Sequence, residues 1–423
     1  MSESPDNPVV LSRDEHPISR RDIDPDALKI IYRLHGLGFT AYLCGGAVRD
    51  LMLGRKPKDF DVATDARPGQ IKKRFANAFI IGRRFRLAHI RFHGGKIIEV
   101  ATFRSDPEPE EEERPAGTES DAEHHGAYGT PSGDAFRRDI TINALYYDPV
   151  AFTVIDYVGG LEDLARRRIR IIGDPGERFQ EDPVRVWRVL RHAARLGFSI
   201  DEATEKAIHT HGALLASAPG SRLYEELNKD LCYETRPVIE ILRSYRLLRF
   251  ILGRAGEVYE TDYAKFCRMM DLLGIEDRAR ADGLMLNLEE MYALIFWPWL
   301  EDVLDECRDD MHADLTAALA EAGMQALVPK SLKADITQIL IILWHMKHAL
   351  KAGRMRWSLK KRGHFPQASR ICVMMEKGRA PKSDESFDSL FRQAFPGAPH
   401  EARPGRRRHR SRPRPKPGPD SAA

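Results

Sequence analysis

Leu43-Cys44-Gly45-Gly46-Ala47-Val48-Arg49-Asp50, followed by Lys58-Asp59-Phe60-Asp61, is the stretch on which the reading of this chain turns. It predicts a strand that ends at a glycine pair, a short helix over 48–53 and a second strand over 60–63. Side chains alternate across a strand, so residues two apart share a face. Asp59 and Asp61 are therefore expected to point the same way, with Phe60 turned inward. Two carboxylates that close repel each other unless a cation lies between them. Mg²⁺ takes carboxylate oxygens and completes its shell with water and substrate phosphates. The glycine pair lets backbone approach a ligand and offers N–H groups to phosphate oxygens. An isolated Asp-x-Asp is usually a surface turn. Here the glycine pair and Arg49-Asp50 come first, and the order points to a nucleoside triphosphate site for metal-assisted phosphoryl transfer.

The composition fits that chemistry and excludes several others. At 423 residues the chain has room for two or three domains. Its formal net charge is only +3, yet residues 108–113 are acidic and 403–416 strongly basic. The mean therefore hides a tail suited to a polyanion. The five cysteines form no CxxC pair, which argues against a disulfide framework or zinc module and for a reducing cytoplasm. The polar start carries no targeting signal. No apolar run approaches the roughly 20 residues that span a bilayer, so no membrane partner is expected.

The chain reads as five parts: a disordered lead (1–22), an α+β head (23–172), a helical neck (173–250), a helical body assigned to RNA binding (251–390) and a disordered basic tail (391–423). In the head, 89–93 and 96–103 form a hairpin across Gly94-Gly95. Residues 106–135 read as a mobile loop, and 174–386 as helix with short breaks. Trp344, Trp357 and His345 lie among apolar helices and read as packing rather than as stacking platforms.

Two further constellations carry charge. In Arg137-Arg138-Asp139-Ile140-Thr141-Ile142-Asn143, the arginines suit a triphosphate and Asp139 is a candidate third carboxylate. Glu99, on the hairpin, is its rival. In Glu181-Asp182-Pro183-Val184-Arg185-Val186-Trp187-Arg188, a continuous helix makes Asp182 and Arg185 neighbours, and likewise Arg185 and Arg188. Spacing alone leaves two readings: an acceptor and donors for a base edge, or a capped helix start with an ion pair.

These blocks resemble the class II nucleotidyltransferases, which comprise the bacterial tRNA CCA-adding enzymes and poly(A) polymerases. The likeness runs from about residue 28 to 197. It implies a polymerase-β-like head with a small mixed sheet, two Mg²⁺ ions, and Asp59, Asp61 and Asp139 as catalytic carboxylates, the first two as metal ligands. It also implies that Asp182 and Arg185 face the incoming base and that Arg188 helps with phosphate. Gly45, Gly46, Arg49 and Arg138 are further phosphate candidates. Ile81-Gly82-Arg83-Arg84-Phe85-Arg86-Leu87-Ala88-His89 resembles the poly(A) polymerase signature, and the arginine-rich tail points to the same branch. The expectation is a monomer that adds adenylates from ATP to RNA 3′ ends and has RNA-decay proteins as partners. Arg406, Arg407, Arg408 and Arg410 are expected to grip the RNA backbone. A CCA-adding enzyme and a silent RNA-binding scaffold are the alternatives.

Overall fold

The computed structural model describes residues 7–82, 86–104, 128–307, 309–324, 328–382 and 385–396. Arg83, Arg84, Phe85 and the arginines at 406, 407, 408 and 410 lie outside them. The chain divides into two compact units, residues 1–251 and 252–423.

The first unit is the expected α+β head followed by helices. Its strands are β1 (Val9–Leu11), β2 (Ala41–Cys44), β3 (Asp61–Thr64), β4 (Ala78–Ile81), β5 (Leu87–Arg91), β6 (Ile97–Thr102), β7 (Tyr146–Asp148) and β8 (Thr153–Asp156). They form one sheet in the order β1-β8-β7-β2-β3-β6-β5-β4. Every pair is antiparallel except β3 with β6. Helix α1 (Pro25–Gly36) opens on Asp24, whose carboxylate accepts from the Asp26 and Ala27 N–H groups. Its buried stripe of Ile30, Ile31 and Leu34 has the spacing of one helix face. Helices α2 (Gly46–Met52), α3 (Pro68–Arg74), α4 (Pro131–Phe136) and α5 (Gly160–Ala165) complete the head.

Three expectations are corrected here. The lead is ordered from Val9 onward: β1 pairs with β8, Ile18 is buried, and His16 Nε2 lies 3.0 Å from the Phe152 carbonyl. Three residues with Val9 and Val10 exposed carry too little alternation to mark an edge strand in sequence. The end of the supposed mobile loop is α4, capped by Thr130 and tied down where Asp134 meets Arg138 and Tyr146. β9 (Arg168–Ile169), near the end of the head, pairs in parallel with β10 (Ser199–Ile200), a strand inside the segment read as all helix.

Helices α6 (Pro175–Glu181), α7 (Val184–Leu196), α8 (Glu202–His211), α9 (Gly220–Leu231) and α10 (Thr235–Ser244) finish this unit. Val186, Val189, Leu190 and Ala193 bury one face of α7. The buried Arg191 pairs with Asp230 and Glu226 of α9, and Asp230 also accepts from Trp187 Nε1 at 2.6 Å. Charges survive burial only when paired in this way.

In the second unit, α11 (Leu248–Thr261, broken at Gly253) leads to α12 (Tyr263–Ala281), α13 (Leu288–Glu306), α14 (Met311–Leu319), α15 (Lys330–Ala352), α16 (Phe365–Lys377) and α17 (Phe387–Ala394). Apolar residues cover α13 on nearly all sides because α12, α14, α15 and α16 pack around it. Among the described residues no helix is long and apolar enough to cross a membrane.

Asp163 is the buried anchor of the head. Its carboxylate accepts from Thr141 Oγ1, Arg168 Nε and Arg170 Nε, each at 2.7 Å. Removing one partner of a buried ion pair leaves uncompensated charge. Asp163→Ala should therefore cost about 3–5 kcal/mol of stability. Urea unfolding of the variant against the parent checks this, and an unchanged midpoint would remove Asp163 from that role.

Candidate active site

The site is assembled at one end of the sheet. Cys44, the last residue of β2, stands opposite Asp61 on β3 and Tyr146 on β7. The glycine pair after β2, the aspartates before β3 and the 138–143 segment before β7 therefore reach the same edge. Gly45 has φ +73°, a left-handed conformation that favours glycine. Its N–H donates to the Leu145 carbonyl at 3.2 Å, so the pair's expected phosphate-binding role rests on Gly46 alone. The glycines also make room. A Cβ at Gly45 would stand 3.3 Å from Arg138 Nη1, and one at Gly46 would stand 3.4 Å from Arg49 Nη2.

Gly45, Gly46, Arg49, Asp59, Asp61, Arg138, Asp139 and Arg188 all line one cleft of about 890 Å³. Asp59 is exposed, and its Oδ2 lies 3.8 Å from Lys58 Nζ. Asp61 opens to the cleft but is closely walled by protein. Burial, with the carboxylates of Glu99 and Asp59, pushes its carboxyl up to about 6. Glu99 is close because β3 and β6 run in parallel, with Val62 beside Val100 and the two acids each one residue before. Carboxylates crowded in this way favour a nearby cation; Arg138 opposes the crowding at Asp61, and Glu99 Oε1 lies 3.4 Å from His89 Nε2. Among the described residues no three histidine, cysteine or carboxylate side chains are drawn together as ion ligands. The arrangement still fits Mg²⁺, which is commonly held by one or two carboxylates and by substrate phosphates.

Asp139 lines the same cleft but is already engaged. Its Oδ1 accepts from Arg185 Nε at 3.0 Å, and its Oδ2 lies 2.9 Å from Arg188 Nη2. Arg49 and Arg138 are likewise fixed. Arg49 holds Asp50 at 2.8 Å and Asn143 Oδ1 at 2.6 Å. Arg138 holds Asp134 at 3.0 Å and the Asn143 carbonyl at 3.2 Å. Their guanidiniums are thus pre-oriented against the glycine loop.

The pair expected to face the base is arranged differently. Asp182 and Arg185 do not share one continuous helix. Asp182 is the extended residue that ends α6, because the following Pro183 disfavours helical backbone before it. The Asp182 carboxylate takes two bonds from Arg222, at 2.8 and 2.7 Å. Arg185 turns to Asp139, Glu181 and the Arg178 carbonyl. Neither Asp182 nor Arg185 lines the cleft.

Several residues missed from the sequence do line it, Arg191, His192 and Arg195 among them. Arg188, Arg191, His192 and Arg195 fall at i, i+3, i+4 and i+7 of α7, the spacing of a single helix face. That periodicity was the signal that could have found them. Burial and the Arg49 and Arg191 charges push His192 well below its usual value, so it stays neutral, and its Nε2 meets Asn143 Nδ2 at 3.2 Å. Lys229 and Tyr233 close the cleft beyond α9, with Lys58 Nζ 3.7 Å over the Tyr233 ring. A carboxylate pole thus faces a cationic wall across a volume suited to a nucleotide.

Residues 41–170 match the family model described as the poly A polymerase head domain. Residues 197–254 match one described as the probable RNA and SrmB-binding site of polymerase A. The chain is 38% identical over 383 residues to poly(A) polymerase I of Salmonella typhimurium, covering 85% of this chain and 80% of that protein. It is 30% identical over 390 residues to the CCA-adding enzyme of Geobacillus stearothermophilus, covering 88% and 93%. The crystal structure of the Bacillus stearothermophilus CCA-adding enzyme in complex with CTP matches with a TM-score of 0.55 at 24% identity, covering 89% of this chain and 94% of that one. At that identity the likeness is one of fold. With these matches across head and neck, the chain belongs to the poly(A) polymerase and CCA-adding enzyme family of nucleotidyltransferases.

Proposed function

We propose that this protein adds adenylates to RNA 3′ ends without a template, using ATP and releasing pyrophosphate. The likeness to poly(A) polymerase I, stronger than that to the full-length CCA-adding relative, carries this reading. Addition of C, C and A to tRNA is the second reading, favoured by the fold of the solved relatives. The product would mark RNA for decay.

Asp59 and Asp61 would hold Mg²⁺. The ion would supply charge neutralisation on the triphosphate and lower the pKa of the attacking hydroxyl. Gly46, Arg49 and Arg138 would orient the triphosphate against the glycine loop. The RNA 3′-oxygen would bond to the α-phosphorus as the bond to the bridging oxygen breaks. Pyrophosphate leaves, and the hydroxyl proton passes to solvent. Positioning and fixed charge supply most of the acceleration in such a step. Asp139, with both oxygens on guanidiniums, would act by holding Arg188 in place. Asp182 and Arg185 remain the proposed readers of the base. For that they would leave their present partners, Arg222 among them, as the nucleotide enters.

Three outcomes test this. Given each nucleoside triphosphate separately with Mg²⁺, the protein should extend an unrelated RNA into a long ladder with ATP alone. Growth that stops after C, C and A on a tRNA lacking its end would select the second reading. Asp61→Asn should reduce transfer by about 10³-fold or more. It should also raise the melting temperature slightly without Mg²⁺, because a neutral amide relieves the crowding of Asp61 by Glu99 and Asp59. A folded Asp61→Asn protein with normal turnover would end the metal assignment. Asp182→Ala should lower the preference for ATP over CTP by about tenfold, as for loss of one good base contact. An unchanged preference in competition assays would remove Asp182 from base selection.

A further inference from the structure

The second unit carries a cavity of its own, about 580 Å³, lined by residues of α15, by the segment that follows it and by Met311 at the start of α14. One wall is aromatic. Trp344 is half-buried, and its Nε1–H donates to Asp305 Oδ1 at 2.7 Å, which fixes the ring. His348 lies over that ring with centroids 3.7 Å apart, and His345 meets it edge-on at 5.1 Å. Burial and the charges of Arg362 and Arg356 push His345 below its usual value, so its imidazole stays neutral. Trp344 and His345 both line the cavity.

The rim is cationic. Arg354, Arg356 and Arg362 are all exposed and line the cavity. Among the described residues none of the three has a carboxylate within ion-pair distance, whereas Arg254, Arg268, Arg280, Arg370 and Arg379 of this unit do. Asp305 is the nearby acid, and it faces the aromatic wall, with Oδ1 3.8 Å from His348 Nε2. Met355 and Leu359, both buried, give an apolar floor. Flat aromatic and apolar surface beside unneutralised guanidiniums matches a nucleobase joined to phosphate. Three guanidiniums suit the successive phosphates of a strand better than the single cluster of a free nucleotide.

We infer that this cavity is a single-stranded RNA subsite, taking a base against the Trp344 wall and strand phosphates on Arg354, Arg356 and Arg362. It rests on RNA being the substrate, and it specifies where the second unit would hold it. The cavity lies outside residues 197–254, the segment matched to an RNA-binding model.

The test uses the full chain, a labelled oligoadenylate and no nucleotide, with affinity measured by anisotropy across salt concentrations. Trp344→Ala and the double variant Arg354→Ala/Arg362→Ala should each weaken binding about tenfold, the scale of one lost base stack. The double variant should also reduce the salt slope by about 1.4, for two lost phosphate contacts on a single strand. In ATP transfer the KM for RNA should rise while kcat at saturating RNA holds. Trp344→Ala can disturb folding by freeing Asp305, whereas the arginines are exposed, so the double variant decides. Wild-type-like RNA affinity in the double variant, with transfer intact, overturns the subsite and leaves the proposed function standing. Weaker binding of free ATP by equilibrium dialysis, with RNA binding unchanged, overturns it in favour of a mononucleotide site. An equal loss of affinity for polyglutamate overturns it in favour of an acidic protein partner. A wild-type protein that neither binds nor extends RNA overturns both.

Discussion

The register of β2 against its two neighbours is the constraint on which the site depends. Cys44 faces Asp61 on one side and Tyr146 on the other. Three stretches far apart in the chain therefore end at one edge: the glycine pair, the paired aspartates and the 138–143 segment. A slip of one residue would reverse every side chain on β2 and separate these groups. The sheet resists that slip because Leu43 and Cys44, which alternate in direction, are both buried. The parallel pairing of β6 with β3 then sets Glu99 beside Asp61.

Charge organises the rest. The cleft has a carboxylate pole on the sheet and a cationic wall on α7, and each is held by partners behind it. Arg191 is tied to Asp230 and Glu226, Arg49 to Asp50 and Asn143, and Arg138 to Asp134. Pairing offsets the desolvation of these cations and removes their rotational freedom. Such a wall is oriented before any ligand arrives, the condition for catalysis by fixed charge. Asp61 is the exception, a carboxylate crowded by like charge with Arg138 as its opposing neighbour. Burial and like charge together favour its protonated form.

Asn143 links the two halves of this arrangement. Its carbonyl accepts from Arg138, its Oδ1 from Arg49, and its Nδ2 meets His192 on α7. It sits two residues beyond Thr141, which Asp163 anchors to Arg168 and Arg170. The sheet edge, the glycine loop and α7 are thus connected through one short segment.

The sequence by itself determined what depends on near neighbours. The strand, glycine pair and paired aspartates were legible in their order, as was the 94–95 hairpin, because alternation and positive φ act within a few residues. The break at Pro183 rests on a local constraint, that of a proline on its predecessor, yet the sequence reading ran one helix through it. The i, i+3, i+4, i+7 run of three arginines and His192 on α7 was present in the sequence as well. Only the tertiary structure decided which partners the charged groups take. Asp139 meets Arg185 and Arg188 from 46 residues away or more, and Asp182 meets Arg222 across 40 residues. Glu99 comes beside Asp61 through a strand pairing, and β1 exists because β8 offers it an edge. Spacing along a chain shows which groups can share a face, but the partner of a charge is chosen by packing between distant segments.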